Sequence, residues 1–71
     1  MAERLGTSMR VQRAIRELTQ ADLAALSGIT RKSINAIETG RMVPSVILAL
    51  RLAKALGTTV EILFSIDEFF D

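Results

Sequence analysis

Seventy-one residues without a cysteine or a histidine make one small domain, 1–71, and leave no route to disulfide staples or the usual zinc sites. Apolar residues are 49% of the chain and mean hydropathy is +0.33, more than so short a chain hides alone, so a second copy or another partner is expected. Net charge is only +1 but unevenly spread: residues 1–41 carry seven Lys/Arg against four Asp/Glu, and residues 42–71 carry two against four, so a basic front and an acidic back predict two faces with different partners.

Taken in chain order, residues 1–8 read as an N-terminal arm. A first amphipathic helix is predicted over 9–17, with Val11, Ala14, Ile15 and Leu18 on one stripe. Thr19 reads as an N-cap with Asp22 in capping-box register, opening a helix over 20–27 that buries Leu23, Ala24 and Leu26. Gly28 suits the left-handed residue that ends it. Ile29 plugs the gap, and Thr30 caps a third helix over 31–39, closed by Gly40. Pro44 and Ser45 then open a helix over 46–56, apolar on most of its circumference and so expected at the centre of the core. Gly57 closes it, and Thr58 or Thr59 caps a last helix over 60–64. The tail, 65–71, reads as a solvated acidic end (Asp67, Glu68, Asp71) interleaved with anchoring phenylalanines. No strand of any length is predicted, and the fold class expected is all-α, with five helices. Whether the acidic tail is helix or pairs as short strands across a dimer is left open.

One spacing is more specific than helical periodicity. Counting Gln20 as first, Ala24 is fifth, Gly28 ninth, Ile29 tenth, Ile34 fifteenth and Ile37 eighteenth. In a helix-turn-helix, each place has a geometric reason, with a small residue where helices cross, a glycine at the turn, and three apolar plugs that lock the second helix on the first. The segment QADLAALSGITRKSINAIETGRMVPS resembles the helix-turn-helix of the Cro/cI-type (XRE-like) regulators, and the likeness runs over roughly residues 9–64. It implies a five-helix, lambda-repressor-like domain that reads double-stranded DNA, usually as a homodimer, and commonly as a repressor at a near-palindromic operator.

On that likeness, 31–39 is the recognition helix. Arg31 and Lys32 carry the chemistry for guanine O6/N7 and Asn35 for adenine N6/N7, while Ser33 serves base or phosphate. Gln20 is implied on the sugar-phosphate backbone, its amide bracing the first recognition side chain. Thr30, the backbone N–H groups at Thr39 and Gly40, the Arg41 side chain and the helix start at Ser45 are implied as phosphate contacts. Arg13 and Glu38 stand at the positions of a structural ion pair.

Three departures from the family pattern are visible: Gln12 stands at a usually apolar position, Glu17 where many relatives have glycine, and Ile15, Ile47 and Ile62 where charge is usual. These isoleucines, with Phe64, Ile66, Phe69 and Phe70, predict apolar surface for a dimer interface, the alternative being that the phenylalanines close the protomer's own core. A competing reading is an antitoxin-like or protein-interaction module that binds a partner protein. No enzyme is expected, since no acid pair sits with a nucleophile or base, and no cofactor or metal is implied. Residues 1–10 lack the apolar run of a secretory leader, and the apolar stretch 43–64 is interrupted by Pro44, Arg51, Lys54 and Glu61, so a cytoplasmic protein without a membrane span is expected.

Overall fold

A computed structural model describes residues 2–69 of the chain. The element order is β1 (Ala2–Thr7), α1 (Met9–Ile15), α2 (Gln20–Ser27), α3 (Arg31–Glu38), α4 (Val46–Leu56), α5 (Val60–Leu63) and β2 (Phe64–Phe69). Side-chain oxygens set the starts of the last four helices. Thr19 and Asp22 form a reciprocal capping box, Thr30 accepts from the Ser33 N–H, Ser45 from that of Leu48, and Thr59, rather than Thr58, from that of Ile62.

The all-α expectation is corrected by the sheet. β1 and β2 pair antiparallel, with Arg4 opposite Asp67, Leu5 opposite Ile66 and Thr7 opposite Phe64, so the fold is mixed α/β: five helices and a two-stranded sheet. Residues on alternate positions share a face, which puts Leu5, Thr7, Phe64 and Ile66 on one side and Arg4, Gly6, Ser65 and Asp67 on the other. In the first set Phe64 is buried and Leu5 packs against the core, while Ile66 stays exposed. Opposite charges at Arg4 and Asp67 favour the register. The sheet is tied to the helical body where Ser8 donates its N–H to the Leu63 carbonyl at 2.9 Å and its hydroxyl to that of Ile62 at 3.0 Å.

The core gathers Met9, Leu23, Ile29, Ile34, Ile37, Ala49, Leu52, Ala53, Leu56, Leu63 and Phe64. Some expectations fail here. Of the apolar stripe predicted on α1, Leu18 packs against the core but Val11 is 59% exposed; Ile15, expected to be exposed as a departing isoleucine, is 67% exposed, while Gln12, Arg13 and Arg16 turn partly inward. The inward polar groups are satisfied, Arg16 Nη1 donating to Gln12 Oε1 at 2.8 Å, which is why a polar Gln12 is tolerated at a usually apolar place. Nor is α4 enclosed. Ala49, Leu52, Ala53 and Leu56 are buried, but Val46, Ile47 and Leu50 are exposed within an arc of about 100°. Leu26 of α2 is exposed too, against the expectation of burial.

Three helices end with the same hydrogen-bond pattern, in which the residue after a left-handed one bonds back to a carbonyl five residues earlier. Arg41 bonds back to Ala36 past Gly40 (φ 79°), Thr58 to Ala53 past Gly57 (φ 65°), and Leu18 to Arg13 past Glu17 (φ 55°). Only the third uses a residue with a Cβ, which costs about 1–2 kcal/mol in that region. Glu17→Gly should therefore raise stability by about 0.5–1 kcal/mol after the entropy the glycine adds to the unfolded chain. A thermal melt several degrees higher would show it; a lower one would mean the Glu17 side chain contributes a contact that outweighs its strain.

Candidate nucleic-acid interface

α3 is held by one face and offers the other. Ile34 and Ile37 are almost wholly buried in the cluster with Leu23 and Ile29. Arg31, Lys32 and Asn35 are exposed on the opposite side and Ser33 is half-buried at the first turn. Gly28, at φ 71°, makes the turn between α2 and α3 in a left-handed conformation that a side chain would strain. Three of the four polar residues predicted for base contact, Arg31, Lys32 and Asn35, thus share the outer face of one short helix whose angle is fixed by its core face, while Ser33 sits at its edge with Oγ accepting from the Thr30 hydroxyl.

Behind them lies a buried acid. The Glu38 side chain is 1% exposed and that of Arg13 14%, and the two make a bidentate pair at 2.7 and 2.9 Å. The Arg13 Nη1 also donates to the Leu18 carbonyl at 2.9 Å, so this ion pair ties α1 to α3 and to the α1–α2 turn. Burial pushes the Glu38 carboxyl up, but hydrogen bonds from Arg13 and Gln20, with the nearby charges of Arg13 and Arg10, hold it below its ordinary value. The hydrogen bond to Glu38 likewise raises Arg13. Arg10, 76% exposed, approaches Glu38 at 3.9 Å. Its one sequence signal is its place a helical turn before Arg13 on α1, which does not by itself mark it as part of the site.

Gln20 joins the same group. Its Nε2 donates to Glu38 Oε1 at 3.3 Å and to Asn35 Oδ1 at 3.2 Å, so the recognition side chain it braces is Asn35. The predicted backbone donors after α3 are differently engaged: the N–H groups of Thr39, Gly40 and Arg41 donate to Asn35, Ile37 and Ala36 carbonyls at 3.0, 3.2 and 2.8 Å. These helix-end donors, expected to meet phosphates, close the turn at the end of α3. The Thr39 hydroxyl also turns back, to the Asn35 carbonyl at 2.9 Å, and the Thr30 hydroxyl donates to Ser33 Oγ at 3.0 Å. What stays outward is the exposed Arg41 side chain and the start of α4, where Ser45 takes the Leu48 N–H at 3.1 Å and the first-turn N–H groups of Val46 and Ile47 have no intrahelical acceptor.

Of the residues predicted for a dimer interface, Phe64 is 9% exposed and belongs to the protomer's own core, whereas Ile66 is 66% exposed. The Phe69 side chain and the whole of Phe70 lie outside the described residues. Among the described residues no group of three His, Cys, Asp or Glu is placed to hold a metal ion, and no helix is long and apolar enough to cross a membrane.

Comparison with known proteins agrees with the geometry. A family model described as helix-turn-helix matches residues 9–63, from the start of α1 to the end of α5. An uncharacterized HTH-type transcriptional regulator of Methanothermobacter thermautotrophicus is 48% identical over 63 residues, covering 87% of this chain and 91% of the relative. Another, from Methanocaldococcus jannaschii, is 40% identical over 60 residues, covering 84% and 91%. Among solved structures, the restriction-modification controller protein C.AhdI of Aeromonas hydrophila superposes with a TM-score of 0.75 at 36% identity, over 79% of this chain and 85% of that one.

Proposed function

This chain belongs to the XRE-type helix-turn-helix family of DNA-binding transcriptional regulators, and from that premise we propose that it represses transcription as a homodimer bound to a near-palindromic operator. The observation that carries the reading is the outward set on α3: Arg31, Lys32 and Asn35 project, with Ser33 at the edge, from a helix whose rotation is fixed by buried Ile34 and Ile37. A helix of eight residues spans about 12 Å, the width of a major groove. In this reading Arg31 and Lys32 read guanine, Ser33 serves base or phosphate, and Asn35 reads adenine. The Arg41 guanidinium, Ser45 with the α4 start, and the backbone around Gln20 and Thr30 meet phosphates on either side. The likeness to a restriction-modification controller protein supports regulation through DNA.

Exposed apolar side chains support the homodimer. Val46, Ile47 and Leu50 on α4, Ile62 on α5 and Ile66 on β2 are each more than half exposed in the protomer. Two copies would place their recognition helices in successive major grooves about 34–36 Å apart.

Selection of bound duplexes from a random pool at moderate salt tests the whole reading. An enriched near-palindrome with one-turn half-site spacing is expected; weak binding without enrichment, abolished by salt, would leave only a generic basic face. On the selected site, Lys32→Ala or Arg31→Ala should relax preference at one base pair at a cost of about 1–3 kcal/mol, whereas Arg41→Ala should weaken all sequences alike. The exposure of Ile15, Ile47 and Ile62 also favours a second reading, a protein-interaction module. That module would give no salt-dependent duplex binding, and a dimeric regulator would elute at twice the protomer mass.

A further inference from the structure

We propose that Gln20 reads a base together with Asn35: the Gln20 Oε1 acceptor and the Asn35 Nδ2 donor form one composite edge that fits adenine in the major groove. This rests on DNA binding through α3 as read above, and it gives the Gln20 side chain a role other than the sugar-phosphate contact that family likeness implies. Glu38 is the positioning residue.

The orientation of both amides follows from the buried carboxylate. Glu38, held bidentate by Arg13, can only accept hydrogen bonds. The end of the Gln20 amide that faces it at 3.3 Å must therefore be Nε2, because the reversed amide would set two acceptor oxygens against each other. The second Nε2 hydrogen is directed to Asn35 at 3.2 Å, so the Asn35 amide must turn its oxygen to Gln20. Both amide hydrogens of Gln20 are then used inside the protein. Its remaining polar atom, Oε1, is an acceptor, which a phosphate oxygen cannot bond but a base amino group can. Asn35 in turn presents Nδ2, a donor.

An acceptor beside a donor complements one major-groove edge fully. Adenine offers the N6 amino donor next to the N7 acceptor. Guanine would set O6 against Oε1, cytosine would satisfy only the acceptor, and thymine O4 only the donor. Asn35 is exposed on α3 and Gln20 half-buried at the start of α2 beside it.

Atom-deleted bases test this on the intact protein. In the duplex selected from the random pool, the adenine is replaced by purine, which lacks the N6 amino group, or by 7-deazaadenine, which lacks N7. Wild type should lose about three- to tenfold affinity with each. Gln20→Ala, which also frees the Asn35 oxygen, should shrink the penalty for the missing amino group and keep that for N7, and Asn35→Ala should shrink the N7 penalty and keep that for the amino group. Gln20→Ala retains the Thr19–Asp22 capping box, and a melt confirms that it folds. A Gln20→Ala protein that binds every duplex uniformly more weakly, with its purine penalty intact, makes Gln20 a backbone contact and overturns the inference. A wild-type protein unaffected by either base analogue at every adenine overturns it as well. Failure of the wild type to enrich any sequence overturns the DNA reading itself, and this inference with it.

Discussion

Glu38→Ala is expected to destabilise the fold by about 3 kcal/mol and to erase sequence preference in whatever fraction stays folded. Removing one partner of a buried ion pair leaves the other charge uncompensated, and such changes cost about 3–5 kcal/mol. The lower end applies because Arg13 keeps the Leu18 carbonyl and is 14% exposed, so water can take part of the lost contact. A 71-residue domain has a total stability on the order of 4–11 kcal/mol. The loss is therefore a large share, and the melting temperature should fall by roughly 12–24 °C. Glu38→Gln, which keeps shape and one oxygen for Arg13, should cost less while still releasing the Gln20 amide to turn either way. If Glu38→Ala melts within a few degrees of wild type, the ion pair does not join α1 to α3 in solution.

The same carboxyl sets an acid limit. Its folded pKa lies below the ordinary value of 4.5. Its stabilisation is therefore fully present above that value and is lost as pH falls through the lowered one. Asp22 is lowered too, by the Thr19 backbone N–H and hydroxyl in the capping box, so it titrates in the same direction. A pH series of melts below pH 5 should show wild type losing stability more steeply than Glu38→Gln, with the Asp22 contribution common to both.

Much of this was legible in the chain because local chemistry fixes it. Thr19, Thr30 and Ser45 are caps whichever way the helices later pack, and the spacing from Gln20 through Gly28 to Ile37 fixes one crossing of two helices. The sheet was not legible in the same way. Phe64, Ser65 and Ile66 alternate as a strand does, but the partner lies some sixty residues away at Ala2–Thr7, where a lone Leu5 carries the apolar signal. The exposure of Val11 on α1 was not legible for a different reason. Arg13 turns inward to Glu38 and the Leu18 carbonyl, so the helix is oriented by a polar pair, and Val11 and Ile15 are left outside. In the site, the polar face of α3 could be named from sequence. Which hydrogens of Gln20 remain available could not, since that depends on a carboxylate eighteen residues away.

Two leucines on α4 separate what holds the protomer from what holds two protomers together. Leu52 is fully buried and Leu50 is 56% exposed, two residues along the same helix. Leu52→Ala removes packed methyl groups and leaves a cavity among Leu23, Ile34, Leu56 and their neighbours, for a loss of about 2–5 kcal/mol at any protein concentration. For a domain this small that is enough to leave a substantial unfolded fraction at 37 °C. Leu50→Ala makes the same chemical change where little is buried, and within one protomer it should cost under about 0.5 kcal/mol. Any larger effect of Leu50→Ala must come from a second copy covering α4, and it would then grow as the protein is concentrated, because association stabilises by mass action. Sedimentation and melts over a hundredfold range of concentration make the distinction. A Leu50→Ala protein that stays monomeric where wild type is a dimer puts Leu50 in the interface. One that dimerises like wild type puts the interface away from Leu50, on the other exposed apolar residues such as Ile15, Ile62 and Ile66.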